Sequence, residues 1–180
     1  MVRIRNMTEA DAAAVAAIRV GGWRAAYAGL LPRAHLDALD VARETELRRE
    51  HLRAAGEHVV NLVAEEEGRT EGVLGWACYG PSRDDDRPEG VAELYALYVR
   101  PDRIGTGVGR ALCAAAVGAA AGRGFRAMRL WVVEGNARAR AFYERAGFTA
   151  DGAEAADDAG GAAVPEMRYA RALAGPGRTG

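Results

Sequence analysis

No run of apolar residues in this chain approaches the roughly 20 needed to cross a bilayer, although 49% of its residues are hydrophobic. The first residues, MVRIRNMTEAD, lack the apolar centre of a secretory signal. Both absences lead to the expectation of a soluble, cytoplasmic protein. Cysteine is scarce, and Cys78 and Cys113 stand apart in apolar settings, so they read as small buried residues and not as a disulfide or a nucleophile. His35, His51 and His58 show no paired spacing, and no metal site is expected. An excess of either charge is missing too. With 24 basic and 25 acidic residues the net charge is -1, which gives no electrostatic footprint for nucleic acid or a membrane surface. A length of 180 residues suits one well-covered core. The expected organisation is a single domain over residues 1–173 and a disordered tail over 174–180.

What is present is organised around residues 91–112, VAELYALYVRPDRIGTGVGRAL. The opening run is apolar or aromatic at every position except Glu93, as in a strand covered on both faces. Pro101 stops it. Gly105, Gly107 and Gly109 then recur at alternate positions, and an Ala-rich helix is expected over 110–121. Without a Cβ the backbone can bend sharply and turn several N–H groups toward one anion, beside the positive end of a helix dipole. Strand, glycine turn and helix together suit a diphosphate, with Arg103 and Arg110 flanking it. An ordinary glycine-rich turn with solvated arginines is the competing reading.

Spacing separates the known phosphate binders. A P-loop requires Gly-Lys-Ser/Thr, whereas Gly109 is followed by Arg110 and Ala111. A dinucleotide fingerprint requires G-x-G-x-x-G, and Arg110 stands where its third glycine would fall. The stretch resembles motif A of the GNAT superfamily of N-acetyltransferases, in which strand four and its following loop hold coenzyme A. That loop's consensus is Arg or Gln, two residues, Gly, one residue, then Gly or Ala. Gly107-Val108-Gly109 supplies its end, its first position falls on Ile104, and Arg103 is one residue early. The contacts implied by the resemblance are mainly backbone N–H groups, which Ile104 retains. The resemblance thus implies acetyl-CoA as cofactor, bound by Ile104, Gly105, Thr106, Gly107, Val108, Gly109 and Arg110.

A second constellation lies on the helix expected over 136–147, capped by Asn136 and closed by Gly147. Asn136 and Tyr143 are seven residues apart, nearly two turns, and so face one way about 10 Å apart along the axis. GNAT proteins have a similar Asn-x-x-Ala-x-x-Phe-Tyr-x-x-x-Gly-Phe pattern, met here by Asn136, Ala139, Phe142, Tyr143, Gly147 and Phe148. The resemblance implies that Asn136 contacts the pantetheine arm and that Tyr143 places its hydroxyl at the sulfur. When an amine attacks a thioester the departing thiolate needs a proton, and a phenol with a reference pKa near 10 still holds one at neutral pH. Tyr143 is therefore the expected general acid; its alternative is a tyrosine that only packs in the core.

Glu93 is the one carboxylate in the central strand. It is expected on the face of Tyr95 and Leu97, as a base acting through water, as an anchor for a cationic acceptor, or simply near the strand's solvent end. In GNAT proteins strand four splays from strand five and the cofactor arm enters the gap. This implies cofactor contacts for Leu97, Tyr98 and Val99, whose N–H groups can also stabilise the charge on the attacked carbonyl, with Val133 across the gap. Trp23 and Tyr27, four residues apart, share a helix face and read either as core packing or, by the resemblance, as the wall of the acceptor pocket.

The remaining chain fills in a fold. Val2–Asn6 alternates like a strand, Thr8 with Asp11 suggests a capping box, and a helix over 12–20 is expected to break or loosen at Gly21-Gly22. Charged helical patterns occupy 33–39 and 42–55, with Gly56 suited to the position after the second, and their charges are expected to face water. Strands over 58–64 and 72–79 flank a polar turn as a hairpin. PSRDDDRPEG reads as a mobile loop whose three aspartates either attract a cation or are solvated. Ala127–Val133 is another apolar strand, Phe148 starts a further one, residues 153–163 suggest a hairpin tip, and 164–173 a last strand. This order matches the GNAT fold: an α/β architecture with a mixed central sheet of about seven strands, strands four and five splayed, flanked by about four helices. The implied activity is acetyl transfer from acetyl-CoA to a primary amine of a small molecule or peptide, by direct attack in a ternary complex. The alternative is a domain that binds acyl-CoA without turnover. A homodimer is a family-based expectation.

Overall fold

The computed structural model describes residues 1–66, 72–86, 88–158 and 163–174. The strands are β1 (Val2–Asn6), β2 (Val60–Glu66), β3 (Val73–Pro81), β4 (Val91–Val99), β5 (Ala127–Val133), β6 (Thr149–Asp158) and β7 (Ala163–Ala172). The helices are α1 (Ala12–Ala26), α2 (Arg33–Asp37), α3 (Val41–Ala54), α4 (Val108–Gly122) and α5 (Ala137–Arg145). All seven strands form one sheet in the order β1-β2-β3-β4-β5-β7-β6, antiparallel except between β4 and β5. A parallel pair needs a crossover, and α4 supplies it on one face. That face is closed by Leu74, Leu112, Met128 and Phe148, and the opposite face by Val15, Ile18, Val63 and Trp76 under α1 and α3. Alternation along the strands sends neighbouring residues to opposite layers, which is why β3 is buried almost throughout.

The β4–β5 pairing covers only Val91↔Ala127, Ala92↔Met128 and Glu93↔Arg129. Beyond Glu93 the strands part, as expected. A β-bulge complicates the same strand, because the register against β3 steps from Tyr79↔Leu94 to Cys78↔Ala96 and leaves Tyr95 as the extra residue. Side chains after the bulge exchange faces. Tyr95, Ala96 and Tyr98 lie in the α1 layer, and Leu97 and Val99 in the α4 layer. The expectation that Glu93, Tyr95 and Leu97 share a face therefore fails at Leu97, since simple alternation does not survive an inserted residue.

Several element boundaries also differ. Helix α1 does not break at Gly21-Gly22 but continues to Ala26. A Cβ on Gly22 would lie 3.0 Å from the Tyr98 ring, so this glycine serves close approach of helix and strand, and not interruption. Gly56 follows α3 but is not among the glycines with positive φ, whereas Gly147 closes α5 at φ 83. Residues 153–158 extend β6, pairing Glu154↔Met167 through Asp158↔Ala163, so the expected tip is confined to residues outside those described. The β2–β3 turn and the tail from residue 175 also fall outside them. At the amino end the capping box forms as expected. The Asp11 carboxylate accepts from the Thr8 N–H (2.8 Å) and hydroxyl (2.9 Å) and receives both Arg5 guanidinium arms at 2.8 Å.

Candidate active site

The carboxyl end of β4 turns through a 3-10 turn, Pro101–Arg103, into the glycine segment. Gly105 (φ 85) and Gly107 (φ 94) adopt the left-handed conformation, and Gly107 is the residue that opens α4. Among the described residues the backbone N–H groups of Gly105, Gly107, Val108, Gly109 and Arg110 have no acceptor. Five donors at one helix start form an anion cradle of the kind a diphosphate fills. Two expected members differ. Ile104 N–H donates to Pro101 O (3.4 Å) and Thr106 N–H to Arg103 O (3.3 Å), so both are spent inside the turn. Arg103 lies 3.5 Å from Glu66 and 3.7 Å from Asp102, while Arg110 is exposed beside the cradle.

Below the cradle, Leu97, Tyr98 and Val99 pair with Ala77, Trp76 and Gly75 of β3, and nothing of β5 pairs with them. Their other edge faces the fork. Val133, at the far end of β5, borders a cavity of about 630 Å³ on the α1 side. Tyr98 turns its side chain into this cavity, where its hydroxyl accepts from Trp23 Nε1 (2.7 Å) and its ring stacks on Trp76 at 6.1 Å. Trp23 and Tyr27 meet edge-on at 5.0 Å; both line the cavity and both pack against the cluster of Leu31, Leu36, Val133 and Val164. Burial pushes the Tyr27 phenol up, and the Asn136 side chain hydrogen-bonds it.

Asn136 also caps α5, its Oδ1 accepting from Ala139 N–H at 3.0 Å. The residue thus lies between the start of α5 and Tyr27. Tyr143, two turns along, packs edge-on against Phe142 (5.1 Å) and Phe148 (6.0 Å). Its phenol is pushed far above the ordinary range, first by burial and then by the neighbouring Cys113, Tyr98 and Tyr27. The hydroxyl therefore keeps its proton throughout the neutral range. Cys78 lines the cavity and Cys113 lies near Tyr143; burial raises both thiols to about 11, so neither is a thiolate at neutral pH.

Glu93 is 3% exposed, which removes the reading of a residue at the solvent end of the strand. Its carboxylate accepts from Arg83 Nη2 (2.6 Å), Nε (3.2 Å) and backbone N–H (2.7 Å). Burial lowers the Arg83 guanidinium, but the Glu93 contact outweighs it and the net shift is upward. Both carboxylate oxygens are thus engaged by Arg83. The loop behind it is held as well. Asp84 accepts from Arg129 (3.1 Å), Arg168 (2.9 Å) and Trp131 Nε1 (2.9 Å), so the first of the three aspartates is a tie between loop, β5 and β7, not a cation lure.

The cavity also contains Arg48 and His51, which were expected to face water, and Arg19 and Glu166, which the sequence did not single out. A signal existed in the helical spacing. Arg19, Trp23 and Tyr27 recur every fourth residue on α1, and Glu44, Arg48 and His51 lie on one face of α3. Glu44, expected to face water, is 7% exposed.

Residues 23–148 match the model of the Acetyltransferase (GNAT) family, well over half the chain. The chain belongs to this family. As a GNAT acetyltransferase it is 33% identical over 138 residues to the N-acetyltransferase YuaI of Bacillus subtilis, covering 76% of this chain and 74% of YuaI. A GNAT-family protein from Desulfovibrio desulfuricans superposes with TM-score 0.70 at 28% identity, covering 97% of this chain and all of that one (100%). The PaiA N-acetyltransferase of Thermoplasma acidophilum, solved with coenzyme A, superposes with TM-score 0.73 at 16% identity over 96% of this chain and 99% of its own. No helix among the described residues is long and apolar enough to cross a membrane.

Proposed function

We propose that this GNAT acetyltransferase moves an acetyl group from acetyl-CoA directly to a primary amine, with Tyr143 as the general acid. The observation that carries this reading is the β4–β5 fork beyond Glu93, and two features accompany it: the open N–H groups within Gly105–Arg110 and the protonated Tyr143 phenol. The PaiA structure with coenzyme A supports it as a fold-level parallel. Acetyl-CoA supplies an activated thioester. The cradle fits its diphosphate, and the unpaired edge of Leu97, Tyr98 and Val99 fits an extended amide-bearing arm, which Asn136 borders. Backbone N–H groups on that edge stabilise negative charge growing on the attacked carbonyl oxygen. Tyr143 gives its proton to the sulfur as the C–S bond breaks, and the amine gives one to solvent water as the C–N bond forms, the phenolate then regaining its proton from solvent.

Glu93 is assigned to holding Arg83, and with it the loop at the cavity rim. Transfer without a covalent intermediate is supported by the raised thiols of Cys78 and Cys113. The test is an acetyl-CoA-dependent thiol-release assay over an amine panel. Tyr143→Phe is expected to lower kcat roughly 100-fold or more while the Kd for coenzyme A stays within about twofold. Unchanged kcat in that variant removes Tyr143 from the acid role, and coenzyme A binding with no thiol release from any amine makes the domain a binder without turnover.

A further inference from the structure

The cavity wall carries a charge imbalance. One carboxylate, Glu44, serves two arginines: Arg48 Nε lies 2.7 Å from Oε1, and Arg19 Nη1 lies 3.1 Å from Oε2. Each guanidinium also lies over an indole, Arg19 at 5.0 Å from the Trp23 ring and Arg48 at 5.3 Å from that of Trp76. All four side chains line the cavity. Among the described residues these are the only hydrogen-bond, ion-pair or ring partners the two arginines have, so two positive charges share one negative and most of their N–H donors are unmet. Burial foremost, and then the like charge of Arg19, lower the Arg48 pKa against the pull of Glu44.

Negative charge sits elsewhere in the same cavity. Glu166 lines it from β7, in register with Val133 where the β4–β5 fork opens. A volume of about 630 Å³ falls in the range of small-molecule sites, roughly 300–1,000 Å³. A planar guanidinium fork is the geometry that receives a carboxylate.

We propose that the acceptor is a small amine that itself bears a carboxylate, bound with the carboxylate at Arg19 and Arg48 and the amine toward the fork beside Glu166. This inference rests on the acetyl-transfer reading above and adds the class of acceptor to it. A neutral or purely cationic amine would leave the Arg19–Arg48 pair with Glu44 as its one anion and gain nothing from it. An amino acid in the broad sense, α or ω, relieves the imbalance at one end and presents its nitrogen at the other.

The test uses the proteinogenic L-α-amino acids and ω-amino acids of increasing chain length, each beside its primary amide. Two readouts are taken: thiol release from acetyl-CoA, and quenching of tryptophan fluorescence by the amino compound alone, since Trp23 and Trp76 underlie the two guanidiniums. At least one amino acid is expected to exceed its amide about tenfold or more in kcat/KM. Arg48→Gln and Arg19→Gln are expected to raise KM for that amino acid about tenfold, leaving kcat, the KM for acetyl-CoA and turnover of the amide nearly unchanged, with Arg48→Lys intermediate. An unchanged acetyl-CoA KM certifies the fold of each variant. Because Arg19→Gln leaves the Glu44–Arg48 pair intact, it remains informative if Arg48→Gln fails to fold. Turnover that treats every acid and its amide alike overturns the proposal while leaving acetyl transfer standing. Carboxylate-dependent quenching without thiol release keeps the site and overturns acetyl transfer. Absence of both responses overturns the proposal.

Discussion

Tyr143 and Cys78 illustrate how one physical effect assigns opposite roles. Burial raises both, but a phenol kept protonated still has a proton to give, whereas a thiol kept protonated near 11 is a poor nucleophile. Cys78→Ser is accordingly expected to retain kcat within about threefold, measured by thiol release; a loss of several hundredfold would instead point to an acyl-thiol relay. At this scale the sequence was legible where identity alone carries the meaning. Asn136 caps α5 through its own side chain and Tyr143 lies two turns along the same helix, as their spacing predicts. It was not legible where meaning depends on a distant partner. Glu93 read as a lone carboxylate because Arg83, ten positions earlier, is brought to it only by the loop ahead of β4. Arg48 read as solvated and Arg19 went unremarked because Glu44 joins them only after α1 packs on α3.

Elements were legible in type and order, less so at their ends. The strand–glycine–helix unit follows from Pro101, the left-handed glycines and the apolar run, all local signals. Helix α1 exceeded its expected end because glycine at positions 21 and 22 was weighed by propensity alone, while the ring of Tyr98 rewards the missing side chain at Gly22. The bulge at Tyr95 left no mark in composition, since it is a property of pairing with β3. A comparable contact governs Gly75. A Cβ there would lie 2.8 Å from Leu112 Cδ1, 2.9 Å from the Tyr98 carbonyl and 3.1 Å from Val108, so strand and helix would have to separate. Gly75→Ala is expected to cost about 1–3 kcal/mol of stability, read as a lower Tm or denaturant midpoint. An unshifted midpoint would show that α4 does not press on β3 as described.

The whole molecule is held by arginine–carboxylate clamps that link sequence-distant parts. Arg5 joins Asp11 to Glu65 across β1 and β2, and Asp84 joins the rim loop to β5 and β7. Asp11 is lowered from 3.8 to about 2, foremost by the Arg5 bond, despite its burial. Burial alone would raise Asp84, but Trp131, Arg168 and Arg129 outweigh it and hold it below its ordinary value. Because each carboxyl binds its proton more weakly folded than unfolded, the stabilisation is complete above about pH 4 and disappears as pH falls toward 2. For Asp11 it amounts to about 2 kcal/mol. Acid unfolding followed by circular dichroism should show this loss, shifted to a smaller amplitude in Asp11→Asn. All 24 basic residues are arginine, so the chain offers no lysine amine to its own chemistry.

The short β4–β5 pairing has a mechanical consequence. Three residue pairs at Val91–Glu93 act as the spring of a clothes-peg whose jaws are β1–β4 on one side and β7 with β6 behind β5 on the other. With the jaws empty, amides on their inner edges, around residues 96–99 and 131–133, should exchange with deuterium quickly; gripping coenzyme A should slow both edges together, coupling the two halves of the sheet through the molecule wedged between them.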